Sequence, residues 1–411
     1  MVSVNEQSVT QRLADSPSVQ EVILSAAAGA RGLPDSDPRA MSHSWLFSGP
    51  PGSGRSLRAL EFAAALMCTS PQTGDYGGEM GCGRCEACSS VLGPRHNHTD
   101  LVYLEPQELS ISVDKVREII TQAAKRPTVA DWRVIIFDNA DRLTDGAANA
   151  LLKTVEEPSD STVIIMCAPS ADPVDFSQTL RSRCRHLYIP TPSAQMIVRT
   201  LVGEGASEHD AQLAAVTTQH HVGRARRLVT HPEAQQRRAM SINLAEDVFR
   251  GSHAFQSTAA LLSKVTKESK ESHVEDDEKE IADLEVTYGA GGKGKGAAKV
   301  QREVKTAVKA LEAQQKKRAT RRLRDLIDLV LLDLGGIYRD ALMLKVGAEV
   351  EMIHPDFSGL AGEIAERVDE KGLVDCQEAI TLCRERLGQN IAPQVALDGL
   401  VGRLRLACGL R

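Results

Sequence analysis

Residues 45–56, with the sequence WLFSGPPGSGRS, decide the fold of this chain. Residues 45–47 are apolar and predict a short buried strand, and residues 49–56 match the phosphate-loop pattern G-x-x-x-x-G-K-[ST] except at the lysine. The glycines of this pattern let successive backbone N–H groups turn towards a phosphate, and the final hydroxyl holds magnesium. Leu60 and Ala64 follow at helical spacing. The order of strand, loop and helix therefore predicts an α/β phosphate-loop fold.

The single departure from the pattern is Arg55, which stands where such loops carry lysine. A guanidinium is planar, larger than an ammonium and always charged, so it pairs with anions but fits the compact lysine position poorly. The candidate nucleotide-binding residues of the loop are Gly49, Gly52, Gly54, Arg55 and Ser56. A glycine-rich turn that binds no ligand is the alternative, and binding of ATP or ADP is left open.

Four segments of the chain differ in their sequence patterns. Residues 1–190 alternate helical patterns with short apolar runs, which is typical of a parallel α/β sheet. Strand signals vanish over residues 191–250, which predict a small helical domain. Residues 251–303 begin as a helix and continue into a charged, glycine-rich stretch, which predicts a flexible insertion because it has little to bury. Residues 304–411 open with a long amphipathic pattern and predict an all-helical domain.

Composition narrows the class of protein. The chain has 411 residues, too many for one core, and we expect about three domains. Its net charge of −6 gives no overall basic field, so any contact with DNA must be local or made through partners. The sequence shows no secretory start and no run of about 18 apolar residues, and we expect a cytoplasmic protein without membrane contact.

A basic cluster follows the predicted insertion. Its members are Lys316, Lys317, Arg318, Arg321, Arg322 and Arg324. They would suit DNA phosphates, but no aromatic residue is interleaved among them for base stacking. A solvated helix face is therefore the favoured interpretation.

Cysteines form a second motif, C-x-x-C-x-x-C, at Cys82, Cys85 and Cys88, with Cys68 upstream. Four thiolates suit tetrahedral zinc, and four protein ligands leave no open coordination position, so the metal is structural. Two disulfides are disfavoured in a reducing compartment, and an iron–sulfur cluster with the same ligands is the remaining alternative. We expect a zinc-binding insertion over residues 68–88.

Asp138 and Asn139 come directly after the apolar run 133–137. Nucleotide hydrolases hold an acidic pair at this position, one residue for magnesium and the next a glutamate that polarises water. The amide of Asn139 cannot accept a proton, so the base is missing beside a loop that also lacks its lysine. A strand end with two solvated aspartates, Asp138 and Asp141, is the alternative, but two departures at one site favour loss of hydrolysis.

Arg183 lies in the run Ser182-Arg183-Cys184, after the third apolar run and a short connecting helix. It is a candidate arginine finger, a residue that stabilises the charge on a phosphoryl group held by a neighbouring subunit. Arginines are common on surfaces, so a surface ion pair is the favoured interpretation from this residue alone.

Together these motifs resemble the delta-prime subunits of bacterial DNA polymerase III clamp loaders, of the actinobacterial kind. The resemblance covers nearly the whole chain. It rests on residues 46–52 (LFSGPPG), the inserted cysteines, residues 149–158 (NALLKTVEEP) and residues 182–184 (SRC). It implies an AAA+ α/β module, a helical lid and a C-terminal collar domain that holds a pentamer together.

The resemblance also implies roles for single residues. Arg183 matches the finger that acts in trans on the adjacent motor subunit, which reverses the preference for a surface ion pair. Residues 223–226 (GRAR) resemble the second sensor motif, with Arg226 at its arginine, and a basic helix face is the alternative. Motor subunits keep the lysine and the acidic pair, whereas delta-prime subunits commonly do not hydrolyse ATP. Arg55 and Asn139 group this chain with the delta-prime subunits.

The implied function is that of a stator, a subunit that closes one end of the AAA+ ring, offers Arg183 to a neighbour's ATP and helps to load the sliding clamp at primed DNA. Its expected partners are the gamma/tau motor subunits and the delta subunit in a hetero-pentamer, and the clamp and DNA through that complex. It would be a subunit of the holoenzyme rather than an autonomous ATPase. The alternatives are an active motor ATPase of the same loader and a zinc-dependent DNA-binding regulator.

Overall fold

The computed structural model describes residues 7–69, 80–106, 108–271, 273–288, 297–389 and 391–410. The chain divides into two compact units, Met1–Met196 and Ile197–Arg411. Neither unit contains, in its described parts, a helix long and apolar enough to cross a membrane. The boundary lies close to the predicted end of the α/β segment at residue 190. The predicted division of the remainder into lid, insertion and collar stays a prediction.

The first unit is built on a five-stranded sheet in which all neighbouring strands run parallel. Its strands in chain order are β1 (Ser44–Ser48), β2 (Leu101–Leu104), β3 (Arg133–Phe137), β4 (Thr162–Ala168) and β5 (Arg185–Tyr188), and their spatial order is β2-β3-β4-β1-β5. All residues of β1, β3 and β4 are buried, which explains why these strands are apolar except at their ends. The predicted α/β fold with a parallel sheet is confirmed.

Helices cover the sheet. They are α1 (Val9–Arg12), α2 (Pro17–Ala30), α3 (Arg55–Met67), α4 (Glu86–Leu92), α5 (Val113–Ala123), α6 (Asp145–Glu156) and α7 (Gln178–Arg181). Helix α6 begins where the Thr144 side chain accepts a hydrogen bond from the N–H of Ala147, at 3.3 Å. Around β1 the core is aromatic, since the rings of Trp45 and Phe62 lie 5.3 Å apart and those of Phe47 and Phe62 lie 6.4 Å apart.

In the second unit, all the strands and helices that the structure describes are helices. After α8 (Ala194–Gly203), which crosses the boundary between the units, its helices are α9 (Glu208–Thr217), α10 (Val222–Thr230), α11 (Pro232–Asp247), α12 (His253–Glu271), α13 (Val274–Thr287), α14 (Ala297–Lys345), α15 (Ser358–Arg367), α16 (Glu370–Gly388) and α17 (Pro393–Ala407). Helix α14 has 49 residues, about 74 Å at 1.5 Å per residue. Its C-terminal half buries Leu334, Ile337 and Tyr338 in a core shared with α11, α12, α16 and α17.

The segment expected to be a flexible insertion contains more regular structure than its composition indicates. Helix α12 extends to Glu271, and α13 packs along α14, where Arg318 forms ion pairs with Asp277 and Glu280. Basic side chains of α14 therefore pair with part of the acidic charge of this segment. The sequence reasoning did not consider this pairing. Its glycine-rich part, residues 289–296, lies outside the described residues.

Those ion pairs also change the interpretation of the basic cluster. Arg318 and Arg322 both lie within ion-pairing distance of Asp277, at 3.4 Å and 3.5 Å, and Gln315 donates to the backbone oxygen of Asp277 at 2.9 Å. The hydrogen bond from Arg318 lowers the pKa of Glu280. This part of the cluster is covered by an acidic helix, so it is neither a free DNA-binding face nor a solvated one.

Candidate functional site

The predicted phosphate loop connects β1 to α3 at the carboxyl end of the sheet, the edge where open α/β sheets bind ligands. Gly52 and Gly54 have φ angles of 92° and 82°, in the left-handed region that glycine adopts without strain. Gly49 is required for another reason, because a Cβ at this position would lie 2.1 Å from the carbonyl oxygen of Ile189. The backbone therefore favours glycine at both glycine positions of the pattern, Gly49 and Gly54, and also at Gly52.

Ser53, inside the loop, has a buried hydroxyl with no hydrogen-bond partner among the described residues. Only 3% of this residue is exposed. A buried hydroxyl without a partner costs about 1–3 kcal/mol, so its presence favours an acceptor supplied from outside the chain. A phosphate oxygen bound in the loop would be such an acceptor, and this part of the site fits an anion.

Arg55, the first residue of α3, reaches back across the loop, and its Nη1 donates a hydrogen bond to the carbonyl oxygen of Gly49. Burial lowers the pKa of the guanidinium, an effect that Cys167, Asp141 and Asp138 oppose. The guanidinium therefore uses one of its donors on the loop's own backbone. The Arg55 side chain thereby closes the loop, in the sense that it hydrogen-bonds across the loop to Gly49, the loop's first residue.

Ser56 and Asp138, 82 positions apart in sequence, are brought together as the phosphate-loop pattern predicts. Ser56 Oγ donates to Oδ1 of Asp138 at 2.5 Å, and the hydroxyl of Tyr103 donates to Oδ2 at 3.1 Å. Both carboxylate oxygens of Asp138 thus accept hydrogen bonds from the protein. Sequence reasoning missed Tyr103, although it lies on β2, which pairs with β3 so that Leu104 stands opposite Phe137.

Tyr103 is held in its neutral form by its surroundings. Burial raises the pKa of its hydroxyl, and the adjacent charge of Asp138 and the hydrogen bond to it raise it further. Tyr103 therefore acts as a permanent hydrogen-bond donor to Asp138 at neutral pH.

Asn139, at the position where hydrolases hold a catalytic glutamate, has φ and ψ angles of 54° and 56°. This is the left-handed conformation, which asparagine tolerates better than most residues with a Cβ because its short side chain bonds to the local backbone. The residue thus suits the turn that follows β3. The side chain of Asp141, two residues later, has a pKa raised by burial.

Arg183 lies at the surface of the first unit, just after α7, with 34% of its side chain exposed. Its Nε donates to Glu156, in the NALLKTVEEP run, and its Nη1 donates to the backbone oxygen of Thr179 at 2.9 Å. No described residue accepts a hydrogen bond from Nη2. The ion pair with Glu156 fixes the side chain and leaves this nitrogen available to an anion from outside.

Arg226, the candidate second-sensor residue, lies on α10 of the second unit. Its Nε and Nη2 donate to the two carboxylate oxygens of Glu204 at 2.7 Å and 2.6 Å, and these bonds raise its pKa. A bidentate pair with a carboxylate occupies the donors that a phosphate would use. A role for Arg226 at the phosphate loop stays a prediction.

The four predicted cysteines meet at one point beside α3 and α4. One sulfur from each of Cys68, Cys82, Cys85 and Cys88 lies within 4.8 Å of the others, and the sulfurs of Cys68 and Cys85 are 3.9 Å apart. Bonds of about 2.3 Å to a tetrahedral metal give a sulfur–sulfur separation of about 3.8 Å, so the spacing suits a metal ion. All four cysteines are free of disulfides.

Backbone hydrogen bonds favour charged sulfurs in this cluster. The N–H groups of Cys82, Cys85 and Cys88 point at the sulfurs of Cys68, Cys82 and Cys85 respectively, at 3.3–3.4 Å. The turns between the cysteines depend on Gly81 and Gly83, whose φ angles are 65° and 74°. The donor set and its backbone support both match a four-thiolate metal site.

Known proteins match the first unit. Residues 36–193 match the family described as DNA polymerase III, delta subunit. The DNA polymerase III subunit delta-prime of Pseudomonas aeruginosa is 32% identical over 179 residues, covering 42% of this chain and 52% of that protein. The DNA polymerase III subunit gamma/tau of Mycobacterium tuberculosis is also 32% identical over 179 residues, covering 43% of this chain and 30% of that protein.

This chain spans about half the length, or less, of these two relatives. The solved structure of a DNA polymerase III gamma subunit-related protein from Thermotoga maritima aligns with a TM-score of 0.38 and 15% identity, over 89% of this chain and 95% of that one. The resemblance to delta-prime subunits is confirmed for the matched segment. Since delta-prime and gamma/tau relatives are equally similar there, identity alone does not separate the two kinds of subunit.

Proposed function

We propose, from the match of residues 36–193 to the DNA polymerase III delta subunit family, that this chain is a clamp-loader subunit that does not hydrolyse ATP itself. The observation that carries the proposal is the contact between Arg55 and Gly49, which closes the phosphate loop upon its own backbone. In a working loop the corresponding lysine serves the terminal phosphates of the nucleotide.

Two further features of the site support the absence of hydrolysis. Asp138 has both oxygens engaged by Ser56 and Tyr103, so magnesium would have to displace at least one of these donors. Asn139 supplies no base to activate water. Bound ATP and magnesium would supply the reactive phosphoryl group and its charge neutralisation, but this chain provides neither the lysine nor the base that the reaction needs.

Arg183 is the residue that we expect to act on a neighbour. Glu156 and the backbone oxygen of Thr179 orient its guanidinium, and Nη2 is left to bind an oxygen of a phosphate presented by another subunit. Such an arginine stabilises the charge of a phosphoryl group without taking part in bond making, and its effect reaches about 10³-fold or more in rate. The chain then works as a stator beside gamma/tau motor subunits, with a delta subunit in the same pentamer.

The cysteine cluster has a structural role in this proposal. We propose zinc as its metal, bound by Cys68, Cys82, Cys85 and Cys88, which would tie α4 to the end of α3. A metal assay of the purified chain should return about one zinc per chain, and chelation should increase amide exchange over residues 80–92. A chain that is fully folded in this region without any metal would contradict the assignment.

A second candidate function is that of an active motor subunit, because the gamma/tau subunit of Mycobacterium tuberculosis is as similar in the first unit as the delta-prime relative. It requires Arg55 to serve the phosphates and another group to replace the missing base. The purified chain would then hydrolyse ATP, and Gly54→Val would abolish the activity. This result would overturn the stator proposal.

The stator role is tested with Arg183→Ala in a reconstituted loader that contains clamp and primed DNA. We expect the ATPase rate to fall by about tenfold or more while the variant still joins the complex. Arg117→Ala, which removes an exposed arginine paired with Asp114, is the matched control and should leave the rate unchanged. An unchanged rate for Arg183→Ala would refute the role in trans. DNA binding by the isolated chain that falls steeply with salt would instead favour the regulator alternative.

A further inference from the structure

A cavity of about 320 Å³ lies within the second unit, between the end of α9 and helices α10, α11 and α14. Its charged lining residues are Arg224, Arg227, Arg237, Arg238 and Asp333. Four arginines around a volume of this size are unusual because each guanidinium is costly to remove from water unless it is paired. The pairing of each arginine therefore decides what the cavity binds.

Two of the arginines, Arg237 and Arg238, are buried and only partly satisfied. Arg237 pairs with Glu268, and Arg238 forms a bidentate pair with Asp356 at 2.7 Å for both contacts. These residues are only 7% and 8% exposed, and the Nε of each has no hydrogen-bond partner among the described residues. Two buried N–H donors are thus left without acceptors in residues that line the cavity.

The other two arginines are on α10, one helical turn apart. The guanidinium groups of Arg224 and Arg227 form no hydrogen bond or ion pair with any residue that the structure describes. Arg224 is half-buried and burial lowers its pKa, whereas Arg227 is exposed. Their spacing of three residues places both on the side of α10 that lines the cavity.

Asp333, on α14, is the acidic member of the set. It is 7% exposed, and its carboxylate has no hydrogen-bond or ion-pair partner among the described residues. Glu268 and Asp356 offset two of the four arginines and Asp333 offsets a third, so one net positive charge remains. The cavity therefore combines excess positive charge, unsatisfied donors and one free acceptor.

We propose that this cavity binds a small phosphate-bearing molecule, with Arg224 and Arg227 as the main phosphate ligands. The planar fork of a guanidinium matches two phosphate oxygens, and the guanidinium groups of Arg224 and Arg227 have no hydrogen-bond or ion-pair partner among the described residues. Asp333 accepts a hydrogen bond from a hydroxyl, an amine or a protonated phosphate oxygen of the same molecule. The volume lies at the lower end of the range for small-molecule sites and has room for one phosphate ester.

This site is separate from the phosphate loop, because all its lining residues belong to the second unit. It also differs from the candidate sensor position, since Arg226 is not among the residues lining the cavity and pairs with Glu204. The inference therefore does not rest on the proposed function.

The test is calorimetric titration of the full chain with inorganic pyrophosphate in a phosphate-free buffer, together with amide exchange. We expect binding that Arg224→Gln weakens at least tenfold, and pyrophosphate-dependent protection of residues 217–238. The matched control is Arg250→Gln, because Arg250 is an exposed arginine of the same unit paired with Glu246, and its loss should not change the affinity.

The same titration in a Gly54→Val chain distinguishes this site from the phosphate loop. Binding that survives Gly54→Val and is lost in a folded Arg224→Gln variant supports the proposal. Absence of binding at millimolar pyrophosphate, or equal loss in Arg224→Gln and Arg250→Gln, would overturn it. Protection confined to residues 49–60 would also overturn it, because the anion would then bind only at the loop.

Discussion

The phosphate loop of the first unit and the arginine-lined cavity of the second unit differ in whether their arginine side chains have hydrogen-bond partners within the chain. In the loop, Arg55 is satisfied by the carbonyl oxygen of Gly49, and the hydroxyl of Ser53 is left without a partner. In the cavity, Arg224 and Arg227 have no partner among the described residues, although no sequence motif marks them as ligands. The motif alone therefore does not tell whether a cationic side chain is available to an anion, because that depends on the partners that the folded chain supplies.

Among the substitutions that test this comparison, Asp333→Asn in the cavity should have the largest effect, which is a change in the free energy of unfolding. Burial raises the pKa of Asp333 to about 6, and Arg224, Arg238 and Arg237 only partly oppose this shift. The carboxyl therefore binds its proton more tightly in the folded chain, so its contribution to stability is lost as pH rises from about 4 to about 6. The asparagine variant should be about 2–3 kcal/mol more stable than the native chain at pH 8 and equal to it near pH 4.

Chemical denaturation of both chains at several pH values measures this difference. His354, which contacts Arg238 and has a pKa lowered to about 4 by burial, is present in both chains and cancels in the comparison. Asp328→Asn is the control, since its exposed carboxylate pairs with Arg384. If the difference in unfolding free energy between the native and Asp333→Asn chains did not change with pH, the pKa of Asp333 would not be raised in the folded chain.

An intermediate effect is expected from Arg55→Lys in the loop. The smaller ammonium leaves the carbonyl oxygen of Gly49 free and reaches the phosphates, so affinity for ATP should rise about tenfold, or ~1.4 kcal/mol. Hydrolysis should stay absent because Asn139 is unchanged. Titration with ATP and measurement of released phosphate check both statements.

The matched control for this change is Arg117→Lys, on the exposed face of α5 in the same unit. If Arg55→Lys left ATP affinity unaltered, the guanidinium would not be what closes the loop. The hydrogen bond of Arg55 would then not explain a difference in anion binding between the loop and the cavity.

The smallest effect is expected from Tyr103→Phe, which removes one of the two donors to Asp138. Loss of this hydrogen bond should lower the free energy of unfolding of the first unit by about 1 kcal/mol. Tyr188→Phe removes the hydroxyl of a tyrosine that is 57% exposed and should change nothing. Equal stability of all three chains in urea would mean that Asp138 is not held by Tyr103.

Much of the first unit could be predicted because its structural features depend on short, local sequence patterns. The loop glycines, the apolar strands and the cysteine spacing each fix a backbone geometry within a few residues. Ser56 and Asp138 were assigned to one site from two separate motifs, and they meet in the structure because parallel strands end at one edge of the sheet. The contact of Tyr103 with Asp138 could not be predicted, since it depends on which strand lies beside β3.

The second unit was less predictable because its interactions join helices far apart in sequence. Arg318 and Glu280 are 38 positions apart, and Arg238 and Asp356 are 118 apart. Charge composition indicated a flexible stretch where α13 packs on α14, and gave no sign that Asp333 and four arginines share one cavity. Helical periodicity predicts that a helix has a buried face, but not which charged residues of other helices that face will meet.

On the proposal that this chain does not hydrolyse ATP, the left-handed backbone at Asn139 would make that loss hard to reverse. A glutamate at this position would carry its longer side chain into a conformation that costs most residues about 1–2 kcal/mol, before any catalytic benefit exists. Restoring the lysine alone would then give no turnover, and restoring the glutamate alone would lower stability. Each single reversal would be neutral or harmful, so the backbone conformation at Asn139 would hold the chain in the proposed non-hydrolysing role.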